Sequence, residues 1–352
     1  MEGEIWNFIV DWTIALASLL YSHGVGIFIP QGKTRFLALF PIIPLFFYLP
    51  LNLTTMFLTS LTSFFISWLA TFKLILFAFG HGPLASNPSL PLSHFIPIAS
   101  LPIKILNPNS RIQENPKNAR ESAKDYGTRV LIFCITIKIF GYKDHVHPFL
   151  VTLIYAYDVF FMLELLLALA AFVARVVIGV QLEPQFNQPH NASSVQDFWG
   201  KRWNLMVSSI LRSIVYLPAR KVFGHVIPQK WVSVPAVFVT FLVSGIMHEL
   251  IFYYLGRLTP TWEVTSFFVI HGVCVGTEIV IKKTFGQRIK PALIVARVLT
   301  LGFVTVTCFW LFFPPFLRFN PFIRGCREGM AFLEFFKHGV MVSPSEFECP
   351  YK

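Results

Sequence analysis

The sequence predicts an all-α polytopic membrane protein with about eight membrane-spanning helices. Of its 352 residues, 55% are hydrophobic and only 13% are charged, and the mean hydropathy is +0.62. This composition is too apolar for a soluble domain. The apolar residues also fall into runs of about 20, the length of a helix that crosses a bilayer. Most basic residues lie between these runs, as expected for the loops of a membrane protein.

The apolar runs set the bounds of the predicted spans. The second run is interrupted by Pro41 and Pro44, and the fourth is short and carries Lys138. We predict one membrane-embedded domain over residues 1–352, with long loops at about 80–128 and 181–230. The spans are predicted at residues 5–29, 36–53, 56–79, 129–142, 149–178, 231–255, 262–281 and 292–316.

The distribution of basic residues predicts the orientation. With eight spans, all the basic groups fall on one side of the membrane, which the positive-inside rule assigns to the cytosol. Both ends of the chain are then predicted to be lumenal. The net charge of +11 does not indicate nucleic-acid binding, because no soluble surface interleaves basic and aromatic residues. The basic groups lie within residues 33–35, 104–124, 201–230 and 282–290.

The stretch VSGIMHELIFYYLG, residues 243–256, places His248 and Glu249 inside a predicted span. Ionisable residues within a membrane are costly and are often functional, although a histidine can also serve as a hydrogen-bonding link between helices. Two adjacent polar side chains point about 100° apart on a helix, so both need partners inside the protein. This predicts a cavity, which His271, near the middle of the next span, is also predicted to line.

The other ionisable residues within spans have a simpler interpretation. We expect them to form pairs between helices or to extend toward the membrane surface. The cysteines show no CxxC or CxxH spacing, so no metal site is predicted. The residues in this group are Asp11, Lys73, Lys138, Asp158, Glu164, Arg175 and Glu278.

The loop at 181–230 contains QDFWGKRWN, residues 196–204. Its tryptophans and basic residues are typical of a segment anchored at the headgroup level. Polar residues such as Asp197 and Asn204 are not needed for anchoring, and they indicate directed hydrogen bonds instead. After this segment, Met206, Ile210, Ile214 and Leu217 form one apolar face at helical spacing, which predicts a helix lying in the membrane interface.

These motifs lead to a family. The stretches QFNQP, SSVQDFWGKRWNLMV, SGIMHELIFYYLGR, WEVTSFFVIHGVC and WLATFKLILFAFGHGPL closely resemble the plant wax synthases, which are long-chain-alcohol fatty acyltransferases of the membrane-bound O-acyltransferase superfamily. The resemblance implies eight to eleven membrane helices around a buried catalytic chamber, and residence in the endoplasmic reticulum membrane. It departs at residues 190–194, His-Asn-Ala-Ser-Ser, where the family often has Tyr-Leu-Ala-Thr-Ser, and this leaves the choice of acceptor open.

The resemblance also implies roles for particular residues. It implies that His248 is the catalytic histidine and that Asn204 is the second signature residue. Acyl-CoA would be the donor substrate, with no further cofactor and no metal. We expect His248 to act as general base, Glu249 to orient or stabilise its imidazole, and Asn204 to donate a hydrogen bond to the thioester oxygen. The residues predicted to bind substrate are Asp197, Trp199, Lys201, Arg202, Trp203 and His271, with Lys201 and Arg202 meeting the CoA phosphates.

The predicted function is transfer of a fatty acyl group to a long-chain alcohol, which forms wax ester. Sterol acylation and diacylglycerol acetylation remain alternatives within the family. A proton-coupled transporter using the intramembrane His and acidic residues is an alternative of another class, and a structural scaffold is a third. The expected partners are acyl-CoA, a lipophilic alcohol and membrane lipids, with no nucleic acid and with a homo-oligomer left open.

Overall fold

The computed structural model describes residues 2–86, 90–105, 116–140, 142, 145–179, 182–286 and 292–349, and in these ranges the chain is almost entirely helical. Within them no β-strand forms, and only an isolated bridge joins Ile105 and Leu182. In chain order the helices are α1 (Glu2–Phe28), α2 (Lys33–Asn52), α3 (Met56–Ala78), α4 (Leu92–Ser100), α5 (Pro116–Phe140), α6 (Pro148–Ile178), α7 (Val195–Lys201), α8 (residues 205–223), α9 (Ser233–Gly256), α10 (Glu263–Phe285), α11 (Leu293–Leu317) and α12 (Pro321–His338).

The described helices confirm the all-α membrane fold and seven of the eight predicted spans. The helices α1, α2, α3, α6, α9, α10 and α11 are long and apolar enough to cross a membrane. The exception is the span predicted at 129–142. It forms the second half of α5, whose first half is the charged sequence PKNARESAKD, so its apolar stretch is shorter than a membrane requires.

The long loop predicted at about 80–128 is partly helical. It contains α4 and the beginning of α5. Part of the basic loop sequence, residues 106–115 and 287–291, lies outside the described residues. The orientation of the chain and the single domain over residues 1–352 therefore stay predictions.

The described chain divides into two compact units. The smaller unit, Ile103–Glu183 with Glu348–Lys352, contains α5 and α6. Arg129 forms an ion pair with Glu164, and the Thr136 hydroxyl donates to an Asp158 carboxylate oxygen at 2.8 Å. These contacts join the two helices, and they confirm the predicted interhelical role of both acidic residues.

The larger unit, Met1–Pro102 with Pro184–Phe347, contains the candidate site. Its most enclosed membrane helix is α3, in which 83% of the most apolar stretch of 18 residues is buried inside the protein. Helices α9 and α10 pack closely because glycines remove side chains between them. A Cβ atom at Gly245 would lie 2.9 Å from the Thr265 Cα, and one at Gly272 would lie 2.8 Å from the Phe241 Cβ. Alanine at either position would push the two helices apart.

Buried charged groups in the larger unit form hydrogen bonds with other helices. The Lys73 ammonium in α3 is fully buried and donates to the carbonyls of Ile98 and Leu101, each at 2.6 Å. These carbonyls belong to the C-terminal end of α4, which carries partial negative charge. In the same unit, an Asp11 oxygen accepts from the Asn52 amide at 2.8 Å. The structural role predicted for Lys73 and Asp11 is confirmed.

Helix α8 confirms the amphipathic helix expected near residues 203–217. Of its predicted apolar face, Met206, Ile210 and Ile214 pack against protein, whereas Leu217 is exposed. Met206 and Ile210 are buried in a cluster with Trp68 of α3 and Met247 of α9. Helical spacing reveals an apolar face, but it does not reveal whether lipid or protein covers that face.

Candidate active site

His248 lies in α9, eight residues before the last residue of that helix, Gly256. Its ring nitrogen Nδ1 lies 2.7 Å from the carbonyl oxygen of Ser244, one turn earlier. A carbonyl can only accept a hydrogen bond, so Nδ1 carries the proton and Nε2 of the neutral ring keeps its lone pair. Among the described residues, Nε2 has no hydrogen-bond partner. This nitrogen is therefore able to accept a proton from a substrate.

Aromatic side chains from three membrane helices enclose the imidazole. Phe268 of α10 stacks on it with the ring centroids 4.3 Å apart, and Trp68 of α3 meets it edge-on at 4.9 Å. Phe312 of α11 lies at 6.1 Å. Trp68 and Phe312 both belong to π-helical segments, Ser63–Ala70 and Cys308–Phe312, a local geometry that is frequent at functional sites. The imidazole thus lies against apolar surface.

Glu249 points to a different neighbour than predicted. One of its carboxylate oxygens accepts a hydrogen bond from the backbone N–H of Thr265 at 3.2 Å, and the side chain is 5% exposed. Thr265 is in the first turn of α10, where N–H groups have no partner inside the helix. The carboxylate therefore caps α10 and is favoured there by the helix dipole. We predicted that Glu249 orients the His248 imidazole, but the structure shows that it caps α10 instead.

The motif segment folds into α7, whose start is closed by local hydrogen bonds. The Ser194 hydroxyl accepts from the Asp197 N–H at 3.1 Å, and an Asp197 oxygen accepts from the Ser193 N–H at 3.1 Å. The same oxygen accepts from Nε of Arg202 at 2.7 Å. Burial raises the pKa of Asp197, but the hydrogen bonds from Arg202 and Ser193 outweigh this effect and hold the pKa below its ordinary value.

Arg202 is therefore engaged within the fold. Besides pairing with Asp197, its Nη1 donates to the carbonyls of Asn187 and Gln188 at 3.3 and 3.2 Å. Lys201 is exposed, and its ammonium makes no hydrogen bond within the described part of the chain. Of the two residues predicted to meet CoA phosphates, Lys201 is the one whose charged group is available. Asp197, which was predicted to bind substrate, pairs with Arg202 instead.

The two tryptophans of the motif have different surroundings. Trp203 stacks on Phe198 with the centroids 5.3 Å apart and the planes at 20°. The Trp199 indole N–H donates to Nδ1 of His271 at 2.8 Å. His271 is 0% exposed, and its Nε2 lies 2.8 Å from the Thr307 hydroxyl oxygen. Both ring nitrogens of His271 are occupied, so the prediction that this residue lines a substrate cavity is corrected.

Asn204 begins α8 and caps it. Its backbone is left-handed, with φ 37°, a conformation that asparagine tolerates better than most residues. The side-chain oxygen Oδ1 accepts from the Val207 N–H at 3.3 Å. Within the described ranges, the amide nitrogen Nδ2 has no partner. The cap therefore fixes the side chain through its acceptor and leaves the donor available.

Comparison with known proteins identifies the family of this chain. The sequence profile of the Membrane bound O-acyl transferase family matches residues 182–270. The chain is 42% identical to acyl-CoA–sterol O-acyltransferase 1 of Arabidopsis thaliana, over 89% of this chain and 91% of that protein. It is also 42% identical to the long-chain-alcohol O-fatty-acyltransferase of Simmondsia chinensis, over 90% and 92%, and to the probable long-chain-alcohol O-fatty-acyltransferase 9 of Arabidopsis thaliana, over 96% and 98%.

The chain belongs to the membrane-bound O-acyltransferase family. The family resemblance inferred from the motifs is confirmed, and the protein is an acyltransferase with several membrane helices. The matched segment includes α7, Asn204, His248 and Glu249, and it ends one residue before His271.

The fold of this acyltransferase connects Asn204 and His248 through shared neighbours. The Ser208 hydroxyl, in the helix that Asn204 caps, donates to the Trp199 carbonyl at 3.0 Å. The Trp199 ring lies 5.7 Å from Phe268, which in turn stacks on His248. Trp199 therefore contacts the surroundings of both residues.

Some residues of the acyltransferase site were not identified from the sequence. The walls formed by Trp68, Phe268 and Phe312 lie within apolar runs where nothing distinguishes them from packing residues. Glu278 was assigned a structural role, and its carboxylate indeed accepts from the N–H groups of Val195 and Gln196 at 2.9 and 3.2 Å. That contact holds the first turn of α7 against α10, so a structural residue positions the motif.

The cap formed by Glu249 gives the first testable prediction. Glu249→Ala should lower the free energy of unfolding by about 1–3 kcal/mol, because it leaves a buried N–H of α10 without a partner. Glu249→Gln keeps an acceptor oxygen and should retain most of the stability and most of the turnover. Thermal unfolding in detergent, measured alongside ester formation, checks both. A Glu249→Ala protein that is as stable as the wild type would contradict the capping role, and a stable but inactive Glu249→Gln protein would show that the carboxylate has a further role in turnover.

Proposed function

We propose that this acyltransferase transfers a fatty acyl group from acyl-CoA to the hydroxyl of a long-chain alcohol and so forms wax ester. The observation that carries the proposal is the state of His248. Its Nδ1–H is held by the Ser244 carbonyl, and its Nε2 is available beside the apolar rings of Trp68, Phe268 and Phe312. A proton acceptor in such a setting suits a reaction between two oily chains. Relatives named as long-chain-alcohol O-fatty-acyltransferases support the choice of acceptor.

The proposed reaction is a direct transfer without an acyl-enzyme intermediate. The alcohol oxygen attacks the thioester carbon while Nε2 of His248 takes the hydroxyl proton. The hydrogen bond from Nδ1–H to Ser244 stabilises the positive charge that forms on the ring. The Asn204 Nδ2 group donates to the oxyanion. The carbon–sulfur bond then breaks, and the CoA thiolate recovers the proton from Nε2, so that ester and free CoA leave and the imidazole is neutral again.

The two substrates are proposed to arrive from different sides. CoA carries several negative charges and stays at the cytosolic face, whereas a long-chain alcohol is soluble in the bilayer and enters laterally. With the basic loops in the cytosol, the amino terminus is lumenal. The family resemblance implies that the membrane is that of the endoplasmic reticulum. Acyl-CoA serves as donor with no further cofactor. Keeping the meeting point away from water protects the thioester from hydrolysis.

The test is an acyltransferase assay on microsomes from a host that lacks neutral-lipid synthases. Labelled donors from acetyl-CoA to oleoyl-CoA are combined with competing fatty alcohol, sterol and diacylglycerol acceptors. We expect wax ester from a long-chain donor and fatty alcohol as the main product. Product from acetyl-CoA and diacylglycerol would instead indicate acetyl transfer. Proton-coupled flux with no ester from any acceptor would contradict the enzyme and favour a transporter.

Sterol acylation is a second candidate function. It is favoured by the relative named acyl-CoA–sterol O-acyltransferase 1, which matches this chain with the same 42% identity as the long-chain-alcohol relatives. In the competition assay this function gives steryl ester in excess over wax ester. Both acceptors present a hydroxyl to the same base, so the choice between them depends on the shape of the acceptor channel.

Lys201 provides a prediction about the donor. Lys201→Ala should raise the apparent KM for acyl-CoA several-fold with little change in kcat, because an exposed ammonium near a phosphate contributes binding and not chemistry. The increase should shrink at high salt, since screening weakens the wild-type contact as well. Lys221→Ala, an exposed lysine of α8, is the matched control and should leave KM unchanged. A loss of kcat at constant KM would contradict this role for Lys201.

A further inference from the structure

A chain of hydrogen bonds runs from the motif helix α7 into the membrane helices. The Trp199 indole N–H donates to Nδ1 of His271 at 2.8 Å. An indole nitrogen can only donate, so Nδ1 accepts and the ring proton of the neutral His271 is on Nε2. That N–H donates to the Thr307 hydroxyl oxygen at 2.8 Å, and the Thr307 hydroxyl donates to the Phe303 carbonyl at 2.7 Å. Each polar atom in the chain has a partner with a defined role.

Trp199, where this series of hydrogen bonds begins, has contacts that lead to both Asn204 and His248. The backbone carbonyl of Trp199 accepts a hydrogen bond from the Ser208 hydroxyl, four residues after Asn204. The Trp199 ring packs on Phe268, which stacks on His248. A rotation of the Trp199 side chain would therefore disturb contacts on both sides. The hydrogen bond from the Trp199 indole to His271 opposes this rotation.

Packing alone does not require a polar residue at position 271. The side chain is 0% exposed and lies among the rings of Phe267 and Phe303, with centroid distances of 4.2 and 4.9 Å. An apolar side chain would avoid the cost of burying an imidazole there. What the imidazole adds is one acceptor for Trp199 and one donor for Thr307. These bonds connect α7, α10 and α11.

We propose that His271 and Thr307 are positioning residues, which act through Trp199 to hold the Asn204 segment in register with His248. This proposal rests on the proposed function, in which Asn204 and His248 act on the same thioester. Neither His271 nor Thr307 touches substrate. Their loss should therefore lower kcat and leave the KM for acyl-CoA nearly unchanged, because misplaced groups weaken the transition state more than the bound substrate.

The test compares substitutions that keep or remove single hydrogen bonds. His271→Leu removes both bonds and should lower kcat by about 10–100-fold. His271→Asn places an amide oxygen where Nδ1 lies, so it keeps the acceptor for Trp199 and should recover most of the rate. Thr307→Val should lower kcat by a smaller factor. Thr300→Val is its matched control, because Thr300 is also buried in α11 and bonded to the carbonyl four residues earlier, but it does not contact His271.

A second readout follows the indole itself. The protein has eight tryptophans, so fluorine NMR of purified protein labelled with 5-fluorotryptophan is assigned with Trp199→Phe. The Trp199 signal should shift in His271→Leu and stay near its wild-type position in His271→Asn. This measurement needs no catalytic turnover, and it also shows whether the leucine variant is folded, since the signals of the tryptophans other than Trp199 and its ring neighbour Trp203 should not move.

The outcomes separate the two proposals. Unchanged kcat in His271→Leu, with the Trp199 signal shifted, overturns the positioning role and leaves the proposed function intact. An equal loss of kcat in the leucine and asparagine variants also overturns it, because the hydrogen bond would then not be the cause. A wild-type protein that forms no ester with any acceptor overturns the proposed function, and the positioning role in catalysis with it, whatever the NMR shows about the bond.

Discussion

Replacing His248 by alanine is expected to reduce ester formation by about 10²–10⁴-fold, the usual contribution of a general base. The Nδ1–H bond to Ser244 leaves Nε2 as the proton acceptor, and no other histidine with an available ring nitrogen contacts the rings around it in the described chain. His271, the histidine of the next membrane helix, has both nitrogens occupied. The rate is measured with saturating acyl-CoA and alcohol, so that the change reports kcat.

The control for this variant separates loss of chemistry from loss of protein. His225→Ala removes an exposed histidine that follows α8 and should behave like the wild type. Protein abundance in the membrane and the thermal midpoint of the His248 variant should stay close to wild type, because alanine is compatible with a helix and the imidazole bonds only within its own turn. A His248→Ala protein that keeps its full rate would rule out the general base.

Asn204→Asp is expected to lower kcat by about 10²–10³-fold, the effect of removing one oxyanion donor. Aspartate caps a helix as well as asparagine does, so the bond from the Val207 N–H to the side-chain oxygen should persist. What the substitution removes is the Nδ2 donor, and it adds a negative charge where an oxyanion would form. Activity should therefore fall while α8 stays folded. Initial rates and thermal unfolding, measured on the same preparation, check the two halves of this prediction.

The chain offers a matched control for the aspartate substitution. Asn320 also precedes a helix in a left-handed conformation, with φ 50°, but it makes no side-chain cap. Asn320→Asp should leave both rate and stability near wild type. If Asn204→Asp lost stability and rate together, the capping role alone would explain the motif, and the donor role would be wrong.

The membrane spans were predictable because their signal is local. A helix that crosses a bilayer needs about 20 apolar residues in sequence, and six of the seven confirmed spans are almost uninterrupted runs. Even α2 was found despite Pro41 and Pro44, although the helix is broken at residues 40 and 41. The span predicted at 129–142 was wrong because this local signal is weak in a short apolar run. The run gave no indication that it continues a helix whose first half is charged.

The partners of the polar site residues were not predictable, because they are set by tertiary contacts. Glu249 follows His248 in the chain, and adjacency suggested a pair, yet its carboxylate caps a helix that starts 14 residues later. His271 is in the middle of its span, which correctly indicated burial, but its donor Trp199 lies 72 residues earlier. Position along a helix predicts depth, and it does not predict which neighbour faces a side chain.

The walls of the site show a second limit of sequence patterns. Trp68 and Phe312 reach His248 from helices that lie 180 residues before it and 64 residues after it. Both belong to π-helical segments, in which an extra residue per turn shifts the helical face. A periodicity of 3.6 residues would assign the following side chains to the wrong face. Such a shift has no signature in an apolar run.

The buried Lys73 has a consequence for how the protein is made. Its acceptors, the carbonyls of Ile98 and Leu101, lie 25 and 28 residues downstream, so they leave the ribosome after α3 has already been synthesised. Until then the ammonium has no partner from α4, and a lysine inside a membrane helix is costly, by up to about 2.5–3.5 kcal/mol at the helix centre on insertion scales. We therefore expect α3 to reach its stable position only once α4 has been translated.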